Sequence, residues 1–350
     1  MTKDDGTQKP TRPQSAALLR FLLATLLIPL KWLFRMVNRR QREMLAKIPG
    51  ILALYRLVSP LFVSARSKDG IPCAEVNGFK MYLDPAEEAS HAGAFLLGEY
   101  EPVTSAVVMA LVTDGDTVVD VGAHWGYFTL LAASLCGKCG RVFAFEPHPR
   151  NFAVLKKNLE ANGLTNVVAV QKAVSSRAGS TKLFQSPSAA GHSVVSVRPK
   201  LTWEGGSAHE SVAVDTVTLD DFFAQGSVEP RLIKMDIEGA EPLALTGMQR
   251  LIERHPSLVL IMEFNPSYLD AQAATEFLDQ LAGCGLDVAI IDDDQRQLAV
   301  GPKAAVLKRL LDEGTTCNLL ATRDRPLFEQ LFELRDGSGT LLGRLERVRL

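Results

Sequence analysis

The chain has 350 residues and a formal net charge of −2, with 22% charged and 47% hydrophobic residues. This balance is typical of a globular protein, and the length allows one large domain with extensions. The charge argues against a nucleic-acid partner, because nucleic-acid-binding domains usually carry a strong basic excess. The five cysteines are odd in number and scattered, which favours reduced thiols and a cytoplasmic location.

The first 70 residues differ from the rest of the chain. Residues 1–14 are polar and are predicted to be disordered. Residues 15–70 are predicted to be a helical extension, in which an apolar run at 21–30 is flanked by Lys and Arg. This run is about half of the roughly 20 residues that a bilayer span needs. We therefore expect a helix at 15–42 that lies on the inner membrane surface or packs on protein, and both alternatives remain open.

Residues 71–350 are predicted to form one α/β domain. It begins with a hairpin at residues 70–84 that turns at Asn77 and Gly78, followed by a helix from Gly98. Glu101, near the start of this helix, is expected either to face a bound cofactor or to be a solvated carboxylate at the helix start. From Asp116 on, strand-like and helical segments alternate, which predicts a doubly wound, mostly parallel sheet. The predicted core strands are residues 117–121, 141–145, 167–171, 232–236, 258–263, 288–291 and 318–321. A polar insertion at 175–215, with short strands at 181–184 and 193–197, is predicted to be a substrate loop.

The first core strand ends at Asp120 and leads into a glycine turn, residues 122–126. The turn lacks the G-x-G-x-x-G spacing with which dinucleotide sites hold a pyrophosphate. Asp120 would repel a pyrophosphate, but it can accept hydrogen bonds from an ammonium group, directly or through water. Glu146 ends the next strand, where a carboxylate can bind both hydroxyls of a ribose. S-adenosylmethionine (SAM) carries an ammonium group and a ribose, so the pattern predicts a SAM-type site.

Another apolar strand, at residues 232–235, places Asp236 and Glu238 at the same sheet edge. Two carboxylates there indicate proton transfer or cation binding. Here the sequence resembles the FkbM-type SAM-dependent methyltransferases. Their DVGAN-x-G-x-x-T, FEP and IK-x-D-x-EG-x-E motifs are matched at residues 120–129, 145–147 and 233–241. His124 departs from the pattern, since the family usually has Asn there, and the charge of an imidazole varies near neutral pH. The resemblance implies a class I, Rossmann-like fold of seven strands with the last inserted antiparallel.

The resemblance also implies O-methylation of a hydroxyl on a sugar, a glycolipid or a secondary metabolite. The predicted cofactor-binding residues are Asp120, Gly122, Ala123, His124, Gly126, Glu146, Pro147, Ala173 and Asp236. Trp125 or Tyr127 is expected either to wall the methionine tail or to pack in the core. The predicted catalytic residues, which would take the proton of the hydroxyl, are Asp236, Glu238, Glu263 and His192.

These residues have competing roles. Glu238 also suits a cap for the helix near Pro242, and His192 suits a solvated loop. Asp236 and Glu263 offer oxygen ligands that suit magnesium, but two ligands are weak evidence, so no metal is predicted. Two other functions remain open, namely N-methylation of a small amine and a non-catalytic SAM-fold scaffold at a membrane surface. The expected partner is a small-molecule, glycan or glycolipid substrate, and the oligomeric state is left open.

Overall fold

The computed structural model describes residues 65–66, 72–83, 100–184, 211–224, 228–265, 268–269, 271–293, 297–300, 308, 316–327 and 329. The predicted disordered tail, the predicted helix at 15–42 and His192 lie outside the described residues. Within those residues, no helix combines the length and the hydropathy that a membrane span requires.

Strands and helices alternate through most of the described chain. In chain order the strands are β1 (Ala65–Arg66), β2 (Pro72–Val76), β3 (Phe79–Tyr82), β4 (Thr117–Val121), β5 (Arg141–Phe145), β6 (Val167–Val170), β7 (Ala173–Val174), β8 (Gly179–Phe184), β9 (Ser211–Val217), β10 (Pro230–Met235), β11 (Val259–Phe264), β12 (Asp287–Asp292), β13 (Gln297–Val300) and β14 (Cys317–Thr322). The helices are α1 (Pro102–Leu111), α2 (Tyr127–Cys136), α3 (Pro149–Ala161), α4 (Leu219–Phe222), α5 (Glu241–Thr246), α6 (Gln249–Arg254) and α7 (Ala271–Gly283).

The described residues form an eight-stranded sheet in the order β13-β12-β14-β11-β10-β4-β5-β6. Strands β11, β10, β4, β5 and β6 are parallel to their neighbours in this run, and β14 is antiparallel to both β11 and β12. The predicted seven-stranded class I sheet with an inserted antiparallel strand is therefore confirmed. Strand β13 was not predicted, and it extends the sheet antiparallel to β12.

Alternate residues of the central strands pack on opposite faces of this sheet. Val118, Val142 and Leu232 belong to one hydrophobic cluster, whereas Val119, Phe143 and Ile233 belong to another. Strands covered on both faces need apolar residues at nearly every position, which explains their continuous hydrophobic runs. Charged residues inside these runs are thus exceptions, and Asp120 and Lys234, at 2% and 4% exposure, are the clearest ones.

Two smaller three-stranded sheets are also described. In the first, β2 and β3 form the predicted hairpin, and Asn77 and Gly78 have the positive φ angles, 47° and 84°, of a type I′ turn. In the second, β9 pairs with β7 and β8. The prediction that residues 211–215 belong to a polar loop is therefore wrong. These residues alternate between exposed and inward positions, as a half-covered strand does.

Helix α1 begins against the end of β12. Oδ1 of Asp293 accepts hydrogen bonds from the backbone N–H groups of Val103 and Thr104, at 2.6 and 3.1 Å. Its Oδ2 accepts a third from Oγ1 of Thr104, at 2.6 Å. Glu101, the residue immediately before α1, has a left-handed backbone with φ 41°. Asp293 therefore provides acceptors for the free backbone N–H groups at the start of α1 and fixes the position of Glu101.

Candidate active site

The glycine turn after β4 is tied to the end of β5. The N–H groups of Gly122 and Ala123 both donate to the carbonyl oxygen of Phe145, each at 2.9 Å. The N–H of His124 donates to Oε2 of Glu146 at 2.8 Å, and the N–H of His148 donates to Oε1 at 2.9 Å. The structure thus brings the predicted turn and the predicted ribose-binding carboxylate together. Both oxygens of Glu146 keep lone pairs for further donors.

The same turn also packs against the end of β10. A Cβ at Gly122, whose φ is 80°, would lie 1.9 Å from the backbone oxygen of Asp236. A Cβ at Gly126, whose φ is 92°, would lie 2.5 Å from Cδ1 of Leu155. Glycine is required at both positions for its backbone conformation and for space. The close approach at Gly122 joins the first and third sequence motifs at one edge of the sheet.

Asp120 lies within the protein beneath this turn. It is 2% exposed, and its Oδ2 accepts a hydrogen bond of 2.5 Å from Oγ1 of Thr129. Burial raises the pKa of its carboxyl, while Lys234 and the Thr129 bond act to lower it. Thr129 is the last residue of the first motif, so two motif residues support each other. Contact between Asp120 and a cofactor ammonium group stays a prediction.

The aromatic residues of the turn pack in the core. Trp125 and Tyr127 are 0% and 4% exposed, and both belong to the hydrophobic cluster around α2. The hydroxyl of Tyr127 accepts a hydrogen bond from Asn77 at 2.8 Å and lies 3.0 Å from Oγ of Ser105. Of the two roles considered for them, the structure supports core packing.

A mostly apolar cavity opens beside the turn. Its lining contains the predicted cofactor residues Gly122, Pro147 and Ala173, and Leu183 from β8 contributes to it. The full lining is Val121, Gly122, Phe145, Pro147, Lys172, Ala173, Val174, Leu183, Ile237 and Ala240. A flat apolar base such as adenine suits this lining, and Glu146 lies one residue before Pro147. The residues present therefore fit a SAM-type nucleoside.

Three of the four predicted catalytic residues lie together at the adjoining sheet edge. Asp236 and Glu238 follow β10, and Glu263 is near the end of β11. Each offers a carboxylate oxygen, and the three oxygens lie within 4.8 Å of one another. Burial, together with Glu238 and Asp236, raises the pKa of Glu263 well above its ordinary value. These three side chains are called the acidic triad below.

The alternative role of Glu238 as a helix cap is not observed. The residue before α5 is Ala240, and it makes no side-chain cap. Instead Glu241 accepts hydrogen bonds from the N–H groups of Ile237 and Gly239, both at 2.9 Å. Burial raises the pKa of Glu241 to about 7. Glu241 therefore holds the segment that carries Asp236 and Glu238, although sequence analysis noted it only as a motif residue.

Lys234 is the cation that contacts the acidic triad in the described part of the chain. Its Nζ lies 2.9 Å from Oδ2 of Asp236 and 4.5 Å from the centre of the Phe128 ring. Burial by itself lowers the pKa of this lysine, but Asp236, Glu101 and Asp120 raise it above its ordinary value. Sequence analysis did not include Lys234 among the site residues. A single charge in the apolar run of β10 was the signal that could have identified it.

Two further residues reach this edge from distant parts of the chain. Asn318 on β14 is the cross-strand partner of Glu263, and its Nδ2 donates to Oε2 of Glu101 at 3.1 Å. Burial raises the pKa of Glu101 to about 7, with Lys234 lowering it and Asp236 raising it. Glu101 therefore faces the site, which is one of the two alternatives that the sequence analysis gave for it. No local sequence pattern pointed to Asn318, because it reaches the site only through the insertion of β14 between β11 and β12.

The part of the chain that forms this site is similar in sequence to known proteins. Residues 120–287 match the family model of the methyltransferase FkbM domain. A hexuronic acid methyltransferase, AglP, of Haloferax volcanii is 30% identical over 141 residues, which are 40% of this chain and 53% of that protein. Methyltransferase 1 of Beauveria bassiana is 27% identical over 221 residues, 57% of this chain and 84% of that protein. The matched part of this chain thus spans about half of the archaeal relative.

Among solved structures, methyltransferase FkbM from Methylobacillus flagellatus KT is 15% identical, with a TM-score of 0.37 over 79% of this chain and 60% of that one. The family match begins at Asp120 and contains the glycine turn, Glu146 and the whole acidic triad. Residues 120–287 therefore form an FkbM-type, SAM-dependent methyltransferase domain.

Proposed function

We propose that the protein is a SAM-dependent O-methyltransferase that acts on a hydroxyl of a sugar, a glycolipid or a secondary metabolite. The observation that carries this proposal is the contact between the glycine turn at Gly122 and the backbone of Asp236. It sets the nucleoside cavity beside the acidic triad, so that a cofactor and an acceptor would meet at one edge. The name of the archaeal relative, a hexuronic acid methyltransferase, supports a sugar-type acceptor.

In this proposal the cofactor is held by the turn and by the end of β5. Glu146 accepts hydrogen bonds from the ribose hydroxyls, and Pro147 and Ala173 contact the adenine in the cavity. The turn residues, Gly122, Ala123, His124 and Gly126, approach the methionine part, while Asp120 supports them or binds the ammonium group. When bound, SAM supplies a methyl group on a positively charged sulfur, which an acceptor oxygen attacks in line.

The chain's own contribution is to orient the acceptor hydroxyl and to take its proton. A hydroxyl is a weak nucleophile until a base within hydrogen-bond reach removes that proton. Asp236, Glu238 and Glu263 lie at the correct edge for this work, and His192 on the insertion is a further proposed base. Positioned proton transfer of this kind contributes about 10²- to 10⁴-fold in rate.

N-methylation of a small amine is the second candidate, because the same sheet edge would place an amine acceptor beside the cofactor as readily as a hydroxyl. The two functions differ in their need for a base, since an amine that is already neutral attacks without one. We therefore expect the double variant Asp236→Asn/Glu263→Gln to lose O-methylation by at least about 100-fold. An N-methyltransferase would keep substantial activity with the same substitutions.

The cofactor site is tested by calorimetric titration with SAM and with its demethylated product. Wild type is compared with Glu146→Ala and Asp120→Asn, and with Glu160→Ala as a control, because Glu160 is exposed on α3. Binding that is lost in Glu146→Ala and kept in the control supports the site and justifies a screen of glycosides and glycolipids. A folded wild type that binds neither compound contradicts the proposal. Binding without transfer to any hydroxyl or amine acceptor would favour the non-catalytic scaffold.

We further propose that residues 15–42, within the extension at 15–70, dock on the inner membrane surface. The apolar run with flanking basic residues supports this, since such helices bind anionic lipid surfaces. Docking would bring a glycolipid acceptor to the domain at 71–350. The test compares binding to anionic vesicles by the full chain and by a chain that begins at Lys47. Equal binding by the two would contradict the membrane role.

A further inference from the structure

The acidic triad has the spacing of a cation site. The three oxygens that Asp236, Glu238 and Glu263 offer lie within 4.8 Å of one another. Metal–oxygen distances of about 2.0–2.6 Å place two ligands of one Mg²⁺ or Ca²⁺ ion roughly 3–5 Å apart. Spacing alone is insufficient, however, because carboxylates can also approach one another by sharing a proton.

Buried oxygens without partners provide a second, independent observation. Oε2 of Glu263 is shielded from solvent and has no hydrogen-bond partner among the described residues. Its cross-strand neighbour Asn318 is 7% exposed, and Oδ1 of that amide also lacks a partner there. Cross-strand partners place their side chains on the same face of the sheet. Because buried acceptors normally have a donor or a cation, the unpaired oxygen of Glu263, which is itself a member of the triad, indicates a ligand.

The charges indicate a divalent ion. With all three carboxylates ionised, the triad carries three negative charges, and the one cation that contacts it among the described residues, Lys234, also interacts with Glu101 and Asp120. The site therefore keeps an excess of negative charge that a divalent cation would offset. The donors are all oxygens, so they suit hard ions such as Mg²⁺ rather than Zn²⁺, which usually takes nitrogen and sulfur ligands.

We propose that Asp236, Glu238 and Glu263 bind one divalent cation of the Mg²⁺ class at the ends of β10 and β11. Binding rests on these residues alone, but the role of the ion rests on the proposed O-methyltransferase function. In that role the ion orients an acceptor hydroxyl or diol and lowers the pKa of the hydroxyl. This proposal replaces the sequence-based expectation that the site holds no metal.

The test measures binding of Mn²⁺ to the full chain by electron paramagnetic resonance, without SAM and without acceptor. We expect wild type to bind one Mn²⁺ that excess Mg²⁺ displaces. Glu263→Gln keeps the shape of the side chain but loses a charged ligand, so its affinity should fall at least about 10-fold. The matched control is Glu160→Gln on α3, which should bind as wild type does. Stability is measured in parallel, because Mn²⁺ should raise the Tm of wild type and the control but not of Glu263→Gln.

The variant is expected to fold, since removing one of three like charges relieves repulsion. With a chelator present, its Tm should equal or exceed that of wild type. Wild type that binds no stoichiometric Mn²⁺, or Glu263→Gln that binds it as tightly as wild type, overturns the proposal. Methyl transfer to a hydroxyl that proceeds equally fast with a chelator present would overturn the role of the ion and leave the proposed function standing. Stoichiometric Mn²⁺ binding without transfer to any hydroxyl would support the site and count against the function.

Discussion

Nζ of Lys234 lies 2.9 Å from Oδ2 of Asp236 at the end of β10, with the lysine side chain 4% exposed. The two residues are two positions apart, so their side chains extend toward the same face of the sheet. The ammonium group also lies over the ring of Phe128, in the hydrophobic cluster around α2. A buried cation therefore connects the core of the domain to the acidic triad.

Removing this cation should destabilise the protein strongly. We predict that Lys234→Met lowers the free energy of unfolding by about 3–5 kcal/mol, because it leaves Asp236 unpaired beside other carboxylates. Lys156→Met, at an exposed position on α3, should change it by less than about 0.5 kcal/mol. Urea unfolding followed by circular dichroism measures both. Similar small effects in the two variants would show that Lys234 contributes nothing as a cation.

The glycine turn should tolerate no side chain at Gly122. Gly122→Ala adds a left-handed backbone strain of about 1–2 kcal/mol and an overlap with the Asp236 carbonyl that costs roughly as much again. Gly115 is a matched control, because its φ of 89° is similar and a Cβ there meets nothing within 4 Å. We expect Gly115→Ala to show the backbone cost alone. The difference in unfolding free energy between the variants, together with SAM titration, checks this.

The parts of this molecule that local sequence could predict are those made by neighbouring residues. Strands β4 and β5 and the hairpin turn at Asn77 were predicted at their observed positions, since burial on both faces and a type I′ turn have strong local signals. Strand β9 was missed, because residues 211–215 were included in the polar insertion predicted at 175–215. The pairing of Glu263 with Asn318 depends on an antiparallel strand inserted from 55 residues away in sequence. No local pattern contains that information.

The start of helix α1 should depend on a residue that is distant in sequence. Asp293 accepts three hydrogen bonds from Val103 and Thr104, and its negative charge faces the helix N-terminus. We predict that Asp293→Ala lowers the free energy of unfolding by about 1–2 kcal/mol, the usual cost of losing a cap. Asp287→Ala, with a half-exposed side chain on the same strand region, serves as the control. Amide hydrogen exchange should show faster exchange at residues 103–105 in Asp293→Ala, and unchanged exchange there would contradict the capping role.

Cofactor binding should depend on pH through Glu146. Burial raises the pKa of this carboxyl above its ordinary value of 4.5, while His124 and the N–H donors act against the rise. Because the pKa of Glu146 is raised in the folded protein, the protonated carboxyl contributes stability to the cofactor-free protein. This contribution is fully present below pH 4.5 and is lost as the pH rises through the raised pKa. Affinity for the demethylated product should change in the opposite direction, because only the ionised carboxylate accepts from both ribose hydroxyls without donating.

This dependence can be assigned to one residue by substitution. Asp120 and His124 also lie at the turn, so the comparison is with Glu146→Gln, which keeps both of them. We expect titration calorimetry of wild type with the demethylated product to show affinity rising with pH above 4.5. Glu146→Gln should bind about 10-fold or more weakly at neutral pH, because a charged hydrogen bond is lost, and its affinity should change less over the same interval. A variant with the same pH profile as wild type would show that Glu146 does not cause the dependence and would remove it from ribose recognition.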